Sequence, residues 1–461
     1  PGWRAPYEML PGDIAGVDPT VPGVYNYLGN VPNPFGVNGG NLERGLAYNP
    51  VTGNLILISR NDAAGPGMSL RILDGQTGAD KGMLNQGTDI ITGGAFTRNM
   101  VGIADDGAIY MANLTLDTNT SPFKVYRWAN ESATPTVAFS GQPNGLLAGA
   151  RLGDSFDVIG SGATTRLVAG YGNSPNVAGN NSFAIFDTND NGLTFSAQHI
   201  TIASNPPEAG DFRLGITFTD RDTVIGKQGN NTGDPLSVVR KVSISGSTGT
   251  LVSSFDSDGQ TLRAMDYAVV DGRPLLAILE CSADQSAAAR ARIFIYDISD
   301  LSKPIAERKI QEGSNLPIVD PENGPNQFGN GNGTGQVKFG AINGNIATIY
   351  AMSTNNGIQA FQLTLDEVAA DNADFNGDGV VDGADFLIWQ RGLGSSGAAL
   401  ADGDANGDGN VNDLDLSVWQ AQYLAGGAAA AAGAVPEPTS GLLVASAVAA
   451  CACLRRSRRP R

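Results

Sequence analysis

The chain has 461 residues, with 61 Gly and 24 Pro beside a hydrophobic fraction of 41%, a composition of short strands and tight turns that still affords a sizeable core. It carries 29 Lys and Arg against 46 Asp and Glu, a net charge of −17, and five of those arginines lie in the last seven residues, so the body stands close to −22 (−17 − 5). Such a surface repels phosphate backbones, which excludes nucleic acid as a partner and favours divalent cations. One histidine, His199, leaves little room for imidazole relays or catalytic zinc, and three cysteines, Cys281, Cys451 and Cys453, give the body no disulfide framework.

The start, Pro1-Gly2-Trp3-Arg4, shows no charged-then-apolar leader, so export is argued from the other end. From Leu46 to about Leu363 a four-strand theme repeats. The turn between its first two strands recurs as Asn49-Pro50-Val51-Thr52-Gly53-Asn54, Asp105-Asp106-Gly107, Gly160-Ser161-Gly162, Asp220-Arg221-Asp222, Asp271-Gly272 and Asn343-Gly344-Asn345, chemistry that tolerates positive φ in hairpins. With Leu46, Val101, Phe156, Leu214, Met265 and Phe339 as equivalent first-strand residues, the spacings are 55, 55, 58, 51 and 74, the last swollen by a polar insertion around Gly329-Asn330-Gly331-Asn332-Gly333. Third strands are predicted at 70–74, 123–128, 183–187, 238–242, 293–297 and 358–363. Six repeats of four strands read as the blades of a β-propeller, with a β-sandwich pair or β-solenoid as the competing reading. The sixth repeat lacks a fourth strand, and Val24-Tyr25-Asn26-Tyr27-Leu28 is expected to supply it and close the ring.

After Leu363 the composition changes. Residues 371 to 424 hold ten Asp and one Arg, with no Lys, Glu or His. The expected domains are residues 1–365, the propeller; 366–424, a small helical module; 425–434, a low-complexity linker; and 435–461, a tail with a short hydrophobic helix.

The acidic module contains a duplicated loop. Asp374, Asn376, Asp378, Val380, Asp382 and Asp385 occupy loop positions 1, 3, 5, 7, 9 and 12, and Asp404, Asn406, Asp408, Asn410, Asn412 and Asp415 repeat them 30 residues later. Gly379 and Gly409 stand at position 6. Ca²⁺ takes six to eight hard oxygens, and oxygens at alternate positions around a sharp glycine turn wrap one ion per loop, position 7 through its carbonyl. Two Ca²⁺ ions are therefore expected, with the first loop filling at lower concentration because it has four ligand Asp against three. Each loop runs into a helix with apolar residues three apart, Phe386 and Trp389, then Leu416 and Trp419, so the two helices should pack through those faces.

This segment resembles a type I dockerin, a two-loop Ca²⁺ module with Asp at position 12. The resemblance implies a cohesin-like partner, although loop positions 10 and 11 are Gly383-Ala384 and Asp413-Leu414 where the family typically has Ser-Thr. In the tail, Pro436-Glu437-Pro438 precedes the apolar run Gly441 to Leu454 and five terminal arginines. That pattern is similar to a PEP-CTERM sorting signal, which implies exosortase-type machinery, transient membrane association and a final place at the cell surface, in the outer envelope or in the extracellular matrix. The body, with Arg44-Gly45-Leu46-Ala47-Tyr48-Asn49-Pro50 and Phe123-Lys124-Val125-Tyr126-Arg127-Trp128, is similar to secreted bacterial propellers of an uncharacterised family.

Weaker features read as structural. Asp187, Asn189 and Asn191 before Gly192 read as a hairpin turn, His199 as an edge-strand residue, Cys281 as strand-end packing, and the glycines near Gly331 lack the strand-then-helix context of a phosphate loop. Asp154, Asp157 and Asp266 are the inner-strand carboxylates a catalyst would use, and nothing in the linear sequence pairs them. The expected function is thus an exported, non-catalytic binding or adhesion protein, with envelope protein or extracellular polysaccharide as partner. The alternative is a secreted carbohydrate-active hydrolase or lactonase-like propeller.

Overall fold

In the computed structural model the described residues are 43–60, 70–146, 149–173, 182–202, 212–228, 238–256, 262–281, 292–303, 305–314, 319–320, 324–325, 333–354, 358–365 and 371–430. The expected closing strand at Val24–Leu28, most of the polar insertion and the tail expected to carry the sorting signal, with Pro436, Glu437 and Pro438, lie outside them. The chain divides into two compact units at Leu365 and Asp366.

The first unit is a six-bladed β-propeller, mainly β as expected. Its innermost strands are Glu43–Tyr48, Phe96–Ile103, Ala150–Ile159, Ile216–Asp220, Leu262–Val270 and Gly335–Asn343. Each contacts the next around the circle, and the first contacts the last, so the ring is closed at its centre. Blades one, two, three and five are four-stranded antiparallel sheets in sequence order; blade four gains a fifth strand, Thr201–Ile202, laid parallel on Thr248–Asp256; blade six has three strands. The third strands observed, Leu70–Asp74, Phe123–Trp128, Phe183–Thr188, Val238–Ser245, Arg292–Asp297 and Ile358–Thr364, fall where the repeat places them.

The ring follows from the side-chain period of a strand. Successive residues face opposite sides, and in a blade both sides are covered, so second strands such as Asn54-Leu55-Ile56-Leu57-Ile58-Ser59 are buried throughout. Leu55 and Leu57 pack against Tyr350 and Met352 of blade six, whereas Ile56 and Ile58 pack against Val101 and Met111 of blade two. Every one of the six blade interfaces carries such an apolar cluster. The hairpin chemistry is also as predicted: Asp271 and Gly272 both take positive φ, 50° and 74°.

Two expectations need correction. Leu214 does not lie in a first strand; it ends a 3₁₀ turn, Phe212–Leu214, and the strand begins at Ile216. Phe212 is fully buried and meets the Phe183 ring edge-on at 5.3 Å, and a Cβ on Gly215 would sit 1.8 Å from the Arg263 carbonyl, so the chain must turn tightly here before pairing. The second correction concerns the linker. In the C-terminal unit, two helices, Gly383–Gly392 and Asp413–Ala430, follow the two loops, and the second continues through the alanines to Ala430 rather than ending near residue 424. Alanine is the strongest helix former, so a run of it readily extends an existing helix.

Candidate metal centre and axial pocket

In the C-terminal unit the two loops have the same internal bonding. The Asp385 side chain is fully buried; its Oδ1 accepts from the backbone N–H groups of Phe375 and Asn376 at 2.8 and 3.1 Å, and its Oδ2 from Asp382 at 2.9 Å. Asp415 does the same 30 residues later with Ala405, Asn406 and Asn412 at 2.8, 3.2 and 2.8 Å. Position 12 thus clamps both ends of its loop to the start of the helix, and Asp382 caps the first helix by accepting from Ala384 N–H at 2.7 Å. Asp374 accepts from Asp378 and Gly379, and Asp404 from Asp408 and Gly409, each pair turning the loop inward. Gly379 and Gly409 hold φ of 87° and 79°, which a side chain at position 6 would strain.

The helices meet through the faces expected. Phe386 lies 5.6 Å from Trp389 and 5.0 Å from Trp419, and Leu416 joins the same cluster. The indoles do more than fill space. Trp389 donates its Nε1–H to the Asn412 carbonyl, and Trp419 donates its own to the Asp382 carbonyl, both at 2.9 Å. Each helix therefore holds position 9 of the opposite loop. Asp374, Asn376, Asp378, Asp382 and Asp385, with the Val380 carbonyl, form a donor set that fits a hard divalent cation, and the second loop offers the same set with Asn412 in place of the acid at position 9. Among the described residues no three His, Cys, Asp or Glu side chains converge by themselves into a metal cage; the loops draw on Asn and backbone oxygens as well.

In the propeller, Asp154, Asp157 and Asp266 separate into two environments. Asp154 binds Arg151, with Nη2 to Oδ1 at 2.8 Å, and has Arg213 Nε at 3.9 Å. Asp157 and Asp266, from blades three and five, both bind the ammonium of Lys338 from blade six, at 3.0 and 2.8 Å. Asp157 Oδ2 also accepts from the Thr217 hydroxyl at 3.0 Å and the Phe218 N–H at 2.9 Å, and Asp266 Oδ2 from the Phe339 N–H at 2.7 Å. Each carboxylate so reaches the backbone of the following blade, and Lys338 ties the two together. Burial pulls the Lys338 ammonium down, but Asp157 and Asp266 outweigh it and hold it above the ordinary Lys value. One ammonium balances one carboxylate. Burial therefore pushes Asp266 up to about 6, with Lys338 opposing and the Asp157 charge adding to the rise. Nothing in the linear sequence pairs these acids because their partner lies 181 and 72 residues away; the one signal is a lysine inside the apolar segment Val337-Lys338-Phe339.

The triad forms the floor of a pocket on the propeller axis, about 450 Å³ in volume and lined from all six blades. The other singled-out residues are structural. Asp187 pairs with Arg166 at 2.9 Å, and Asn191 and Gly192 make the turn at φ of 59° and 78°. His199 ends an edge strand bonded through Nδ1 to the Tyr171 hydroxyl, and burial lowers its pKa. Cys281 is a buried free thiol that burial pushes up to about 12. Gly331 lies outside the described residues.

Fold and loops together define a β-propeller protein with a C-terminal dockerin module. Residues 10–212 match the family model of DUF4623, a domain of unknown function. Residues 372–422 match the dockerin type I domain, which carries calcium binding and a cohesin partner as its implications. Among solved structures, a DUF4623 family protein from Bacteroides eggerthii is 16% identical over 74% of each chain with a TM-score of 0.51, a likeness of fold. A calcium-binding protein, regucalcin, from Agrobacterium tumefaciens is 10% identical over 70% of this chain and 89% of its own, with a TM-score of 0.38, too low to argue from. No curated protein matches the chain.

Proposed function

We propose that this is an exported, non-catalytic binding or adhesion protein of the cell surface or extracellular matrix. Its dockerin module holds two Ca²⁺ ions and docks to a cohesin-like or other envelope protein. The observation that carries this reading is the duplicated loop, in which Asp385 and Asp415 close their rings by the same three backbone bonds. Asp374, Asn376, Asp378, Asp382 and Asp385 would ligate one ion through side chains and Val380 through its carbonyl; Asp404, Asn406, Asp408, Asn412 and Asp415, with the Asn410 carbonyl, would ligate the other. The tail motif Pro436-Glu437-Pro438 supports an exosortase-type route to the surface, and the propeller supplies the face for a ligand such as polysaccharide.

The hydrolase alternative gains no support from the triad. Two carboxylates flanking a scissile bond need a clear space between them, and here Lys338 bridges them. Calcium titration of the full chain by calorimetry tests the proposal. Two sites are expected, the tighter one weakened about 100-fold or more by Asp374→Ala and the weaker one by Asp404→Ala, taking the upper end of ligand-shell effects as a floor. A chain that takes up no Ca²⁺ would end this reading.

A further inference from the structure

We infer that the axial pocket of the propeller is a binding site for a small organic cation, a primary amine or guanidine on an apolar body. The volume, about 450 Å³, lies within the range of small-molecule sites, and all six blades contribute to its lining. Its lining includes three carboxylates, Asp105, Asp157 and Asp266, and one ammonium, Lys338, a formal balance of −3 + 1 = −2. The walls between them are Tyr48, Tyr267, Phe339, Ile103, Ile159 and Ile342.

This chemistry selects among ligands. Oxyanions are repelled by the balance of charge, and a bare divalent ion at the floor would displace Lys338, whose ammonium already takes one oxygen from each of Asp157 and Asp266. The remaining negative charge lies with Asp105 on the wall and with the excess carboxylate of the triad. A ligand that satisfies both wall and charge has an apolar body against the aromatic and aliphatic side chains and a cationic head toward the acids.

The inference is independent of the calcium loops, and its test is arranged to keep the two apart. Hexylamine, hexanol and hexanoate share one body and differ in charge. Calorimetry of the full chain in saturating Ca²⁺ is expected to rank them amine, alcohol, acid, with the amine at least about tenfold tighter than the alcohol, the scale of one partly desolvated charge contact. Asp105→Asn, at an exposed turn position, should reduce the amine's advantage about tenfold, and Ile342→Trp, at a residue 38% exposed, should abolish uptake of amine and alcohol by filling the pocket. Ca²⁺ uptake should be the same in both variants as in the parent chain. Equal or tighter binding of hexanoate, no heat with hexylamine, or wild-type amine binding by Ile342→Trp would each overturn the proposal while leaving the calcium reading standing.

Discussion

Lys338 is buried but for a 9% exposed side chain in the pocket, yet charged, and two carboxylates make that tolerable where one would leave the ammonium under-solvated. The arrangement has a pH signature. Asp266 titrates near 6 in the folded chain against about 4 when unfolded, so between those values the folded state keeps a proton that the unfolded state has released. Stability from this group is therefore full below about pH 4 and is lost as the pH rises through the raised folded value. Asp266→Asn removes the titration. Urea unfolding of both proteins from pH 4 to 7 should show the parent losing ground against the variant across that window; parallel profiles would mean that Asp266 titrates normally. Cys281 offers a second residue-level check. A thiol held up to about 12 has almost no thiolate at neutral pH, so peptide-resolved iodoacetamide labelling should modify Cys281 only after unfolding.

At the scale of elements, the calcium module shows what spacing in a sequence reveals. Both loops were legible because all their donors fall within a dozen consecutive residues, and the helix faces because Phe386 and Trp389, and Leu416 and Trp419, sit three apart. The crossed indole bonds were not legible: each spans the two repeats, and only packing of the helices brings Trp389 to Asn412 and Trp419 to Asp382. They predict crossed effects. Trp389→Phe keeps an aromatic ring, though a smaller one, and loses the donor, which should cost about 1–2 kcal/mol in unfolding of the module and weaken Ca²⁺ about tenfold at the second loop, as outer partners of ligands do. Trp419→Phe should weaken the first loop instead. Titrations in Asp374→Ala and Asp404→Ala backgrounds isolate each loop, and a change confined to the mutated tryptophan's own loop would refute the crossing. In the propeller, the blades were legible through turns and third strands, whereas the fourth blade's start was not, since the burial of Phe212 against Phe183 is a contact between blades.

At the scale of the whole molecule, among the described residues the ring is held by six apolar interfaces and by the Asp157–Lys338–Asp266 triad, all built from protein side chains. Chelation should consequently act on one unit. Hydrogen exchange with EDTA is expected to speed in residues 371–430 and to stay unchanged in the inner strands; lost protection in the strands would place an ion within the propeller. No helix among the described residues is long and apolar enough to cross a membrane. The circular contact of the inner strands also sets how the propeller comes apart. A linear stack of repeats frays from its outermost members, but a circle has no outermost member, and excising any blade strips cover from two neighbours at once. A five-bladed deletion should accordingly collapse as a unit rather than survive as a shorter array.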